Sequence, residues 1–421
     1  MRLILAMIAL GLLAAPAAGQ TGPALAGRMA QADNAAVVNS NPAGITRVRG
    51  TQVVLDASVA SSFSRFRVRG GTTTSGGNPD DDNDPFVIPT FSLSHELSER
   101  WRLGFGVFVP AGIGTDYGSE WAGRYYATSS SLVFVNMQPV IAYQASDWLS
   151  LAAGASIMYV DSVAESAFNN LQPGLADGRV KLEVDGLDAG AIVAAMLEPW
   201  EGTRFAISYR SEQTPDLEGR AHFRNLGPLL EAALGSAGLL GAKIDLGVNV
   251  PQAIQAGFYH EFESGLSVMG DVTWMDWSRF GRVDVSVSQF SVTTRSHYND
   301  IWIGSFGIQY PLKDDLGLAM GASYVSSAVD DADRTVSLPF DEIFYFGIGG
   351  YVRARSNLEI HANLGATVSG NGRIDQQSNP LAGRLRGRTE SPYSVVFQVS
   401  LVWGTKPIGR AARSSASAIA L

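Results

Sequence analysis

The stretch YSVVFQVSLVW, residues 393–403, decides the fold. Tyr393, Val395, Phe397, Val399, Leu401 and Trp403 fall on one parity, and Ser394, Gln398 and Ser400 on the other, with Val396 and Val402 as exceptions. Successive side chains of a strand point to opposite faces, so this segment has one apolar and one mostly polar face. Aromatic residues stand at both tips of the apolar face, as they do on lipid-facing strands that meet two membrane–water interfaces.

The pattern recurs along the chain. Trp101, Leu103, Phe105, Val107 and Val109 alternate with Arg102, Gly104 and Gly106. Similar faces start at Leu149, Leu266, Leu316 and Leu358. A soluble β-sandwich would bury such faces, but the aromatic tips favour lipid. Six short polar breaks, at 97–100, 145–147, 198–203, 262–265, 311–315 and 354–357, separate pairs of strands. Seven longer Gly-, Asp-, Ser- and Asn-rich stretches lie between those pairs, near 61–85, 110–130, 162–180, 212–250, 278–299, 326–342 and 367–391. Twelve strands around the six turns, plus one at each end, make fourteen. The expectation is an all-β, 14-stranded antiparallel transmembrane β-barrel over residues 51–403. Short turns then face the periplasm and long loops the outside. Spanning strands of roughly 9–11 residues are expected. They must close into a ring, because hydrocarbon offers no partner to an unpaired backbone group.

Composition and the first residues agree with export. Arg2 precedes an apolar run over 3–13 and a small-residue stretch over 14–19, which reads as a signal peptide (1–19) too short to span a membrane. The 421 residues include no Cys, so thiolate metal sites and disulfides are excluded. A net charge of −9 argues against a nucleic-acid partner. The five His form no HExxH pair, no G-x-S-x-G is present, and no catalytic residue, metal or cofactor is expected. The acidic run NPDDDNDP (78–85) lacks the spacing and central Gly of a Ca²⁺ loop. It reads as a solvated external loop, with divalent ions bridging it to lipopolysaccharide as the alternative.

A fourteen-stranded ring is too wide for its own side chains to fill. Residues 20–50, ahead of the first strand (51–59), carry ADNAAVVNSNPAGIT at 32–46. Pro42 fixes its own φ and pushes Asn41 toward extended backbone, while Gly44 permits close approach. The segment is therefore read as a plug folded inside the barrel, with Asn41, Pro42, Ala43 and Gly44 as its gating residues.

The plug resembles the NPA-bearing hatch of FadL-type outer-membrane transporters for long-chain fatty acids and other hydrophobic compounds. Three further segments are similar to that family in the same order: GFGVFVPAGIGTDYGSEWAGRYYATSS (104–130), VNMQPVIAYQASDWLSLAAG (135–154) and DVTWMDWSRF (271–280). The resemblance implies passive transport without catalysis. A ligand would enter an apolar lumen from outside and leave sideways through a gap at a kinked third strand. Here that strand is 101–110. Gly104 and Gly106 weaken its pairing and Pro110 cannot donate to a ladder; glycines that merely fit a curved wall are the alternative.

Capture is assigned to the loop 212–250, where Phe223, Leu226, Leu230, Ala233, Leu234, Ala237 and Leu240 have helical spacing. The alternative is a helix packed on neighbouring loops. Arg124, between Trp121 and Tyr125, is the candidate for a carboxylate head group, against a salt bridge to Asp116 or Glu120. Partners are then a hydrophobic small molecule and the lipid and lipopolysaccharide of the outer membrane, with one chain sufficient as a monomer. Residues 404–421 extend past Trp403 as a tail. The rival readings are a barrel enzyme of lipase type, a structural or adhesin barrel, and an open aqueous porin.

Overall fold

The computed structural model describes residues 27–408 apart from 81–84, 281, 288, 289, 296, 340 and 378–381. The signal peptide, the first residues of the expected plug, half of the acidic run (81–84) and the tail from 409 lie outside the described residues. Fourteen strands close into a ring. They are β1 (Thr51–Val68), β2 (Phe86–Glu96), β3 (Trp101–Asp116), β4 (Ser129–Gln144), β5 (Leu149–Phe168), β6 (Gly178–Trp200) and β7 (Thr203–Arg210), then β10 (Ala253–Glu261), β11 (Ser267–Met275), β14 (Ile301–Lys313), β15 (Leu316–Val325), β16 (Ile343–Arg355), β17 (Leu358–Ser369) and β19 (Leu385–Gly404). Two short strands, β8 (Asp216–Arg224) and β9 (Lys243–Val248), separate β7 from β10 (Ala253–Glu261) and β11 (Ser267–Met275). A hairpin, β12 (Arg282–Val287) and β13 (Phe290–Arg295), precedes β14 (Ile301–Lys313), β15 (Leu316–Val325), β16 (Ile343–Arg355) and β17 (Leu358–Ser369). The short β18 (Arg373–Gln376) flanks β19 (Leu385–Gly404).

Every neighbouring pair in the ring is antiparallel, and β19 returns to β1 from Gln52↔Gly404 to Val68↔Gly387. The six short turns fall where the polar breaks predict them. The strands are longer than a membrane requires: β6 has 23 residues and β5 and β19 have 20 each. They run on past the bilayer into segments whose sequence reads as loop. There the outward face turns polar, which erases the apolar alternation without breaking the ladder. The upper part of β6 pairs with β8, β8 with β9, β9 with β12 and β12 with β13, so the external loops build a second wall on the barrel rim.

The alternation has the inverse sense of a soluble protein. Phe397 is 48% exposed while its neighbour Gln398 is 2% exposed. Leu401 and Trp403 are likewise exposed, and Ser400 is buried. An apolar outside and a polar inside is stable only when the outside solvent is hydrocarbon, which disposes of the sandwich. The span from Trp403 to Tyr393, at about 3.4 Å per residue and a tilt of about 40°, gives a band of roughly 25 Å, the apolar height of such barrels.

Candidate functional site

The N-terminal segment touches inward side chains around most of the ring. Ala35 N–H donates to Gln52 of β1 (2.6 Å), and Asn39 Nδ2 to Ser92 of β2 (3.0 Å). Arg102 of β3 donates to Val48 O (3.0 Å), Gln138 of β4 to Val38 O (2.5 Å), and Thr46 pairs with Ser150 of β5 (2.8 Å). Arg47 pairs with Glu198 of β6, and Arg204 of β7 donates to Gln31 O. Met29 N–H meets Asp271 of β11 at 3.5 Å and Gln31 meets Gln309 of β14 at 2.5 Å. Contacts on strands from β1 round to β14 place residues 27–50 in the bore. An apolar seat completes the contact: Val37, Val38, Ala43 and Ile45 pack on Val140, Ala142, Ala152, Ile192 and Met196.

Within the segment, two 3-10 turns cover Ala35–Asn39 and Pro42–Arg47. Pro42 occupies the first position of the second turn, where a missing N–H costs nothing. Asn41 is fully buried and its Nδ2 donates to Met29 O at 3.3 Å. A Cβ on Gly44 would lie 2.8 Å from Ala32 Cβ and 2.9 Å from Val37 Cγ2. Gly44 is thus a close-packing glycine with ordinary φ.

Gly104 and Gly106 belong to the paired part of β3, opposite Ser94 and Ser92 of β2 and Val140 and Gln138 of β4. Their missing Cβ atoms make room for Val38, Asn39 and Ile45. The interruption of β3 lies higher: its register with β4 shifts between Phe108 and Ala111, so Val109 and Pro110 together face one residue, Val135. That is a β-bulge at the proline. On the other side, the β2–β3 ladder ends at Phe91↔Val107 among the described residues. Beyond it, 86–90 pair only with β1 and 108–116 only with β4, which leaves two unpaired edges facing one another above the N-terminal segment.

Above that segment lies a belt of buried polar side chains. Ser156 donates to Asn136 Oδ1 (2.9 Å), Asn136 to Gln138 Oε1 (3.3 Å), and Gln213 to Ser156 O (2.9 Å). Arg210 Nη2 donates to Gln138 Oε1 (2.9 Å) and to Asn39 O (3.2 Å), and its guanidinium lies 5.4 Å from the Phe108 ring centroid. No carboxylate lies within ion-pair distance of Arg210 among the described residues, and its Nε has no hydrogen-bond partner. Sequence reasoning missed this belt. Its signal was a polar residue at consecutive inward positions, Asn136 and Gln138, of an otherwise apolar strand.

Higher still, an apolar cluster fills the bore and rim: Phe134 of β4, Met158 of β5, Leu182 of β6, Leu217 of β8, Leu246 of β9 and Phe280 are among its buried members. Leu234 is buried in it, and Phe223 and Leu226 pack on its edge. The helix α1 covers only Pro228–Ser236. Phe223 lies on β8, and Asn225 takes φ 55°, which ends the strand before Gly227 caps the helix. The expected helix from 223 to 240 is therefore shorter, and Leu240 stands exposed beyond it. Leu230 is half-buried on α1, outside the cluster.

Trp121, Arg124 and Tyr125 form a separate group over the opposite rim. Trp121 is 1% exposed, with Nε1 donating to Ala127 O (2.8 Å) and its ring edge-on to Phe66 at 5.6 Å. Arg124 Nε meets Asp177 Oδ2 at 2.8 Å, Tyr125 OH donates to Asp177 Oδ1 at 2.8 Å, and the guanidinium lies 4.5 Å from the Tyr125 centroid. Asp177, rather than Asp116 or Glu120, is the partner of Arg124, because β5 and β6 run high enough to bring 177 beside it. Burial of the nearby Tyr117 pushes its hydroxyl well above the ordinary tyrosine value, which keeps it a neutral donor to Val336 O at 2.7 Å. No group of three or more His, Asp or Glu is arranged to hold a metal among the described residues.

A membrane-embedded ring, an inserted N-terminal segment, an apolar cluster above it and a break in the wall define an outer-membrane transport barrel of the Gram-negative envelope. Residues 8–400 match the family described as outer membrane protein transport protein (OMPP1/FadL/TodX), and the chain belongs to that family. It is 22% identical over 373 residues to the long-chain fatty acid transport protein of Escherichia coli K12, covering 78% of this chain and 80% of that one. To the 47 kDa outer membrane protein of Pasteurella multocida it is 23% identical over 376 residues, covering 82% and 83%. The crystal structure of a Pseudomonas aeruginosa FadL homologue superposes with a TM-score of 0.83 at 19% identity, over 93% of this chain and 99% of that one. The Pseudomonas putida toluene transporter TodX gives 0.64 at 19% identity, over 89% and 94%. These likenesses carry the fold; the substrate needs a separate argument.

Proposed function

We propose that the protein carries hydrophobic small molecules passively across the outer membrane, and that molecules with an apolar body and one carboxylate, long-chain fatty acids, are its preferred class. An apolar chain gains about 0.8 kcal/mol for each CH₂ it buries. The cluster around Phe134, Leu182 and Leu246 offers that burial from the rim inward. The residues 27–50 act as a hatch that blocks straight passage to the periplasm, so the exit is sideways, between the unpaired edges of β2 and β3.

The observation that carries the substrate class is Arg210. A half-buried guanidinium whose Nε is shielded from solvent and unpartnered, with no carboxylate beside it among the described residues, is costly, and a ligand carboxylate would complete it with paired hydrogen bonds. Its place is also suited to coupling. It holds Asn39 O of the hatch and lies over Phe108, the last paired residue before the bulge. A carboxylate that takes Arg210 away from Asn39 loosens the hatch at the moment the ligand reaches the gap. Uptake by cells lacking their own transporter tests the reading. A labelled long-chain fatty acid is expected to enter faster with the protein than without, and faster than the corresponding alcohol. Equal entry with and without the protein would end the proposal.

A further inference from the structure

On the outward side of the closing seam, above the lipid-facing strip, arginines crowd together. Phe63 of β1 stacks on Tyr393 of β19 with ring centroids 4.8 Å apart, at the outer end of the apolar band. Beyond that pair, Arg67 of β1 is directly opposite Arg388 of β19, and Arg388 is directly opposite Arg373 of β18. Direct partners in an antiparallel ladder share a face. Three guanidinium groups therefore stand side by side on three adjacent strands. Their neighbours in sequence, Phe66, Ile374 and Thr389, are buried, so the three arginines point away from the bore. Arg69, Arg386 and Arg384 continue the patch outward.

Two carboxylates serve these six arginines among the described residues. Glu390 accepts from Arg388 (2.8 Å) and Arg69 (3.1 Å) and lies 3.8 Å from Arg67. Asp375 takes Arg384 (2.7 Å) and Arg386 (3.3 Å). Arg65 extends the row toward the membrane and is already engaged. The surplus of positive charge stands out on a chain of net charge −9. Like charges directly opposite on neighbouring strands are destabilising, so an unliganded seam of this kind is unfavourable. An anion that fits planar guanidinium forks, above all phosphate, would relieve it.

The height of the patch selects the source of that phosphate. Arg388 is five residues beyond Tyr393; at about 3.3 Å per residue and a tilt of about 40° this is roughly 12 Å above the aromatic girdle. Arginine stems reach back several ångströms toward the membrane, which brings the guanidinium groups to the headgroup layer, itself roughly 5–8 Å deep. The patch opens sideways onto that layer. We propose that the β18–β19–β1 seam is a binding site for the phosphate groups of the outer leaflet's phosphorylated glycolipid, lipopolysaccharide.

The test uses the full chain in discs of zwitterionic lipid, with purified lipopolysaccharide as probe and bound glycolipid read by native mass spectrometry. The combined Arg67→Gln, Arg373→Gln and Arg388→Gln variant is expected to bind about tenfold more weakly or worse, as loss of charge-assisted hydrogen bonds requires. Enzymatically dephosphorylated lipopolysaccharide is expected to bind the unaltered protein just as weakly. Glu390→Gln, which removes a competing carboxylate and keeps the chain intact, is expected to bind more tightly; it decides the matter if the triple variant does not fold. Unchanged binding in both variants would overturn the proposal. So would displacement by inorganic phosphate alone, which would make the seam a free-anion site, or equal binding of phosphatidylglycerol, which would remove the glycolipid.

Discussion

Arg210 Nη2 donates to the backbone oxygen of Asn39 at 3.2 Å, so a strand of the far wall holds the end of the first 3-10 turn of the N-terminal segment. Arg210→Met keeps the length of the stem and removes the donors. Asn39 O and Gln138 Oε1 each lose this bond, a loss of about 1–3 kcal/mol. Two outcomes are expected together: uptake of a fatty acid falls at least several-fold, and that of a neutral hydrocarbon changes little. Parallel loss of both would show that Arg210 supports the fold without reading the head group.

Deletion of Pro110 tests the proposed exit between β2 and β3. The bulge places Val109 and Pro110 opposite Val135 alone, with Phe108↔Asn136 below and Ala111↔Phe134 above. Removing one residue lets 109 face 135 and leaves every later side chain on its original face. β3 straightens, and its edge can zip to β2 beyond Phe91. The barrel should fold and keep its heat-resistant gel mobility, while uptake of hydrophobic substrate drops by about an order of magnitude. Full uptake by the straightened strand would rule out exit between β2 and β3.

Much of this architecture is legible from the sequence because the membrane imposes it. The turns at 97–100 and 354–357 stand out, since each is a polar break beside an outward apolar row, 101–109 after the first and 358–364 after the second. The external ends are not legible. Residues 178–180, at the end of the stretch 162–180 that reads as loop, open β6, whose outward positions beyond the hydrocarbon, Arg179, Lys181, Glu183 and Asp185, are as polar as a loop. The site is legible only in part. Gly104 and Gly106 are recognisable as special positions, but what they meet, Val38, Asn39 and Ile45, is a tertiary fact. Arg210 carries no local signal at all. Its importance comes from the absence of a carboxylate around it among the described residues, and no local pattern encodes an absence.

Gly104→Val makes the close approach measurable. A Cβ there would lie 2.7 Å from Val140 Cγ2 and 2.8 Å from both Ile45 Cδ1 and Val38 Cγ2. Overpacking of this kind costs roughly 1–3 kcal/mol, and the N-terminal segment, held by 3-10 turns, yields before the ladder does. The expected result is an unchanged barrel with a hatch that limited proteolysis cuts several-fold faster. Equal protection would mean that the wall moves instead.

Arg124 and Asp177 separate a loop brace from a head-group site. Both side chains of the pair are partly exposed, so the 2.8 Å bridge is worth at most about 1 kcal/mol. If the pair braces the loops, Asp177→Asn and Arg124→Gln should each lower the melting temperature slightly and leave fatty-acid uptake within about twofold. If Arg124 reads carboxylates, Asp177→Asn frees it and should raise affinity for the acid, while Arg124→Gln abolishes it. The Trp121 cluster is separate from the one around Leu234, so the brace is the expected outcome.

Ile408 provides the last test, at the opposite mouth. After β19 the chain turns back: Thr405 N–H donates to Thr51 O (2.8 Å) and Ile408 N–H to Ser356 O (2.7 Å). Ile408 is 8% exposed and packs with Ala35 of the N-terminal segment, Val54 of β1 and Val402 of β19. The side chain therefore covers the underside of the first 3-10 turn. Ile408→Ala removes that cover at about 2 kcal/mol, the low end for a buried isoleucine. Ile408→Asp adds the cost of a carboxylate against apolar neighbours. Because the strand pairs from Gln52↔Gly404 upward remain, the barrel's melting temperature should barely change, whereas proteolysis at the hatch should quicken, more for Asp than for Ala. A fall in barrel stability with no change at the hatch would make residues 405–408 a clasp on the strand ends alone.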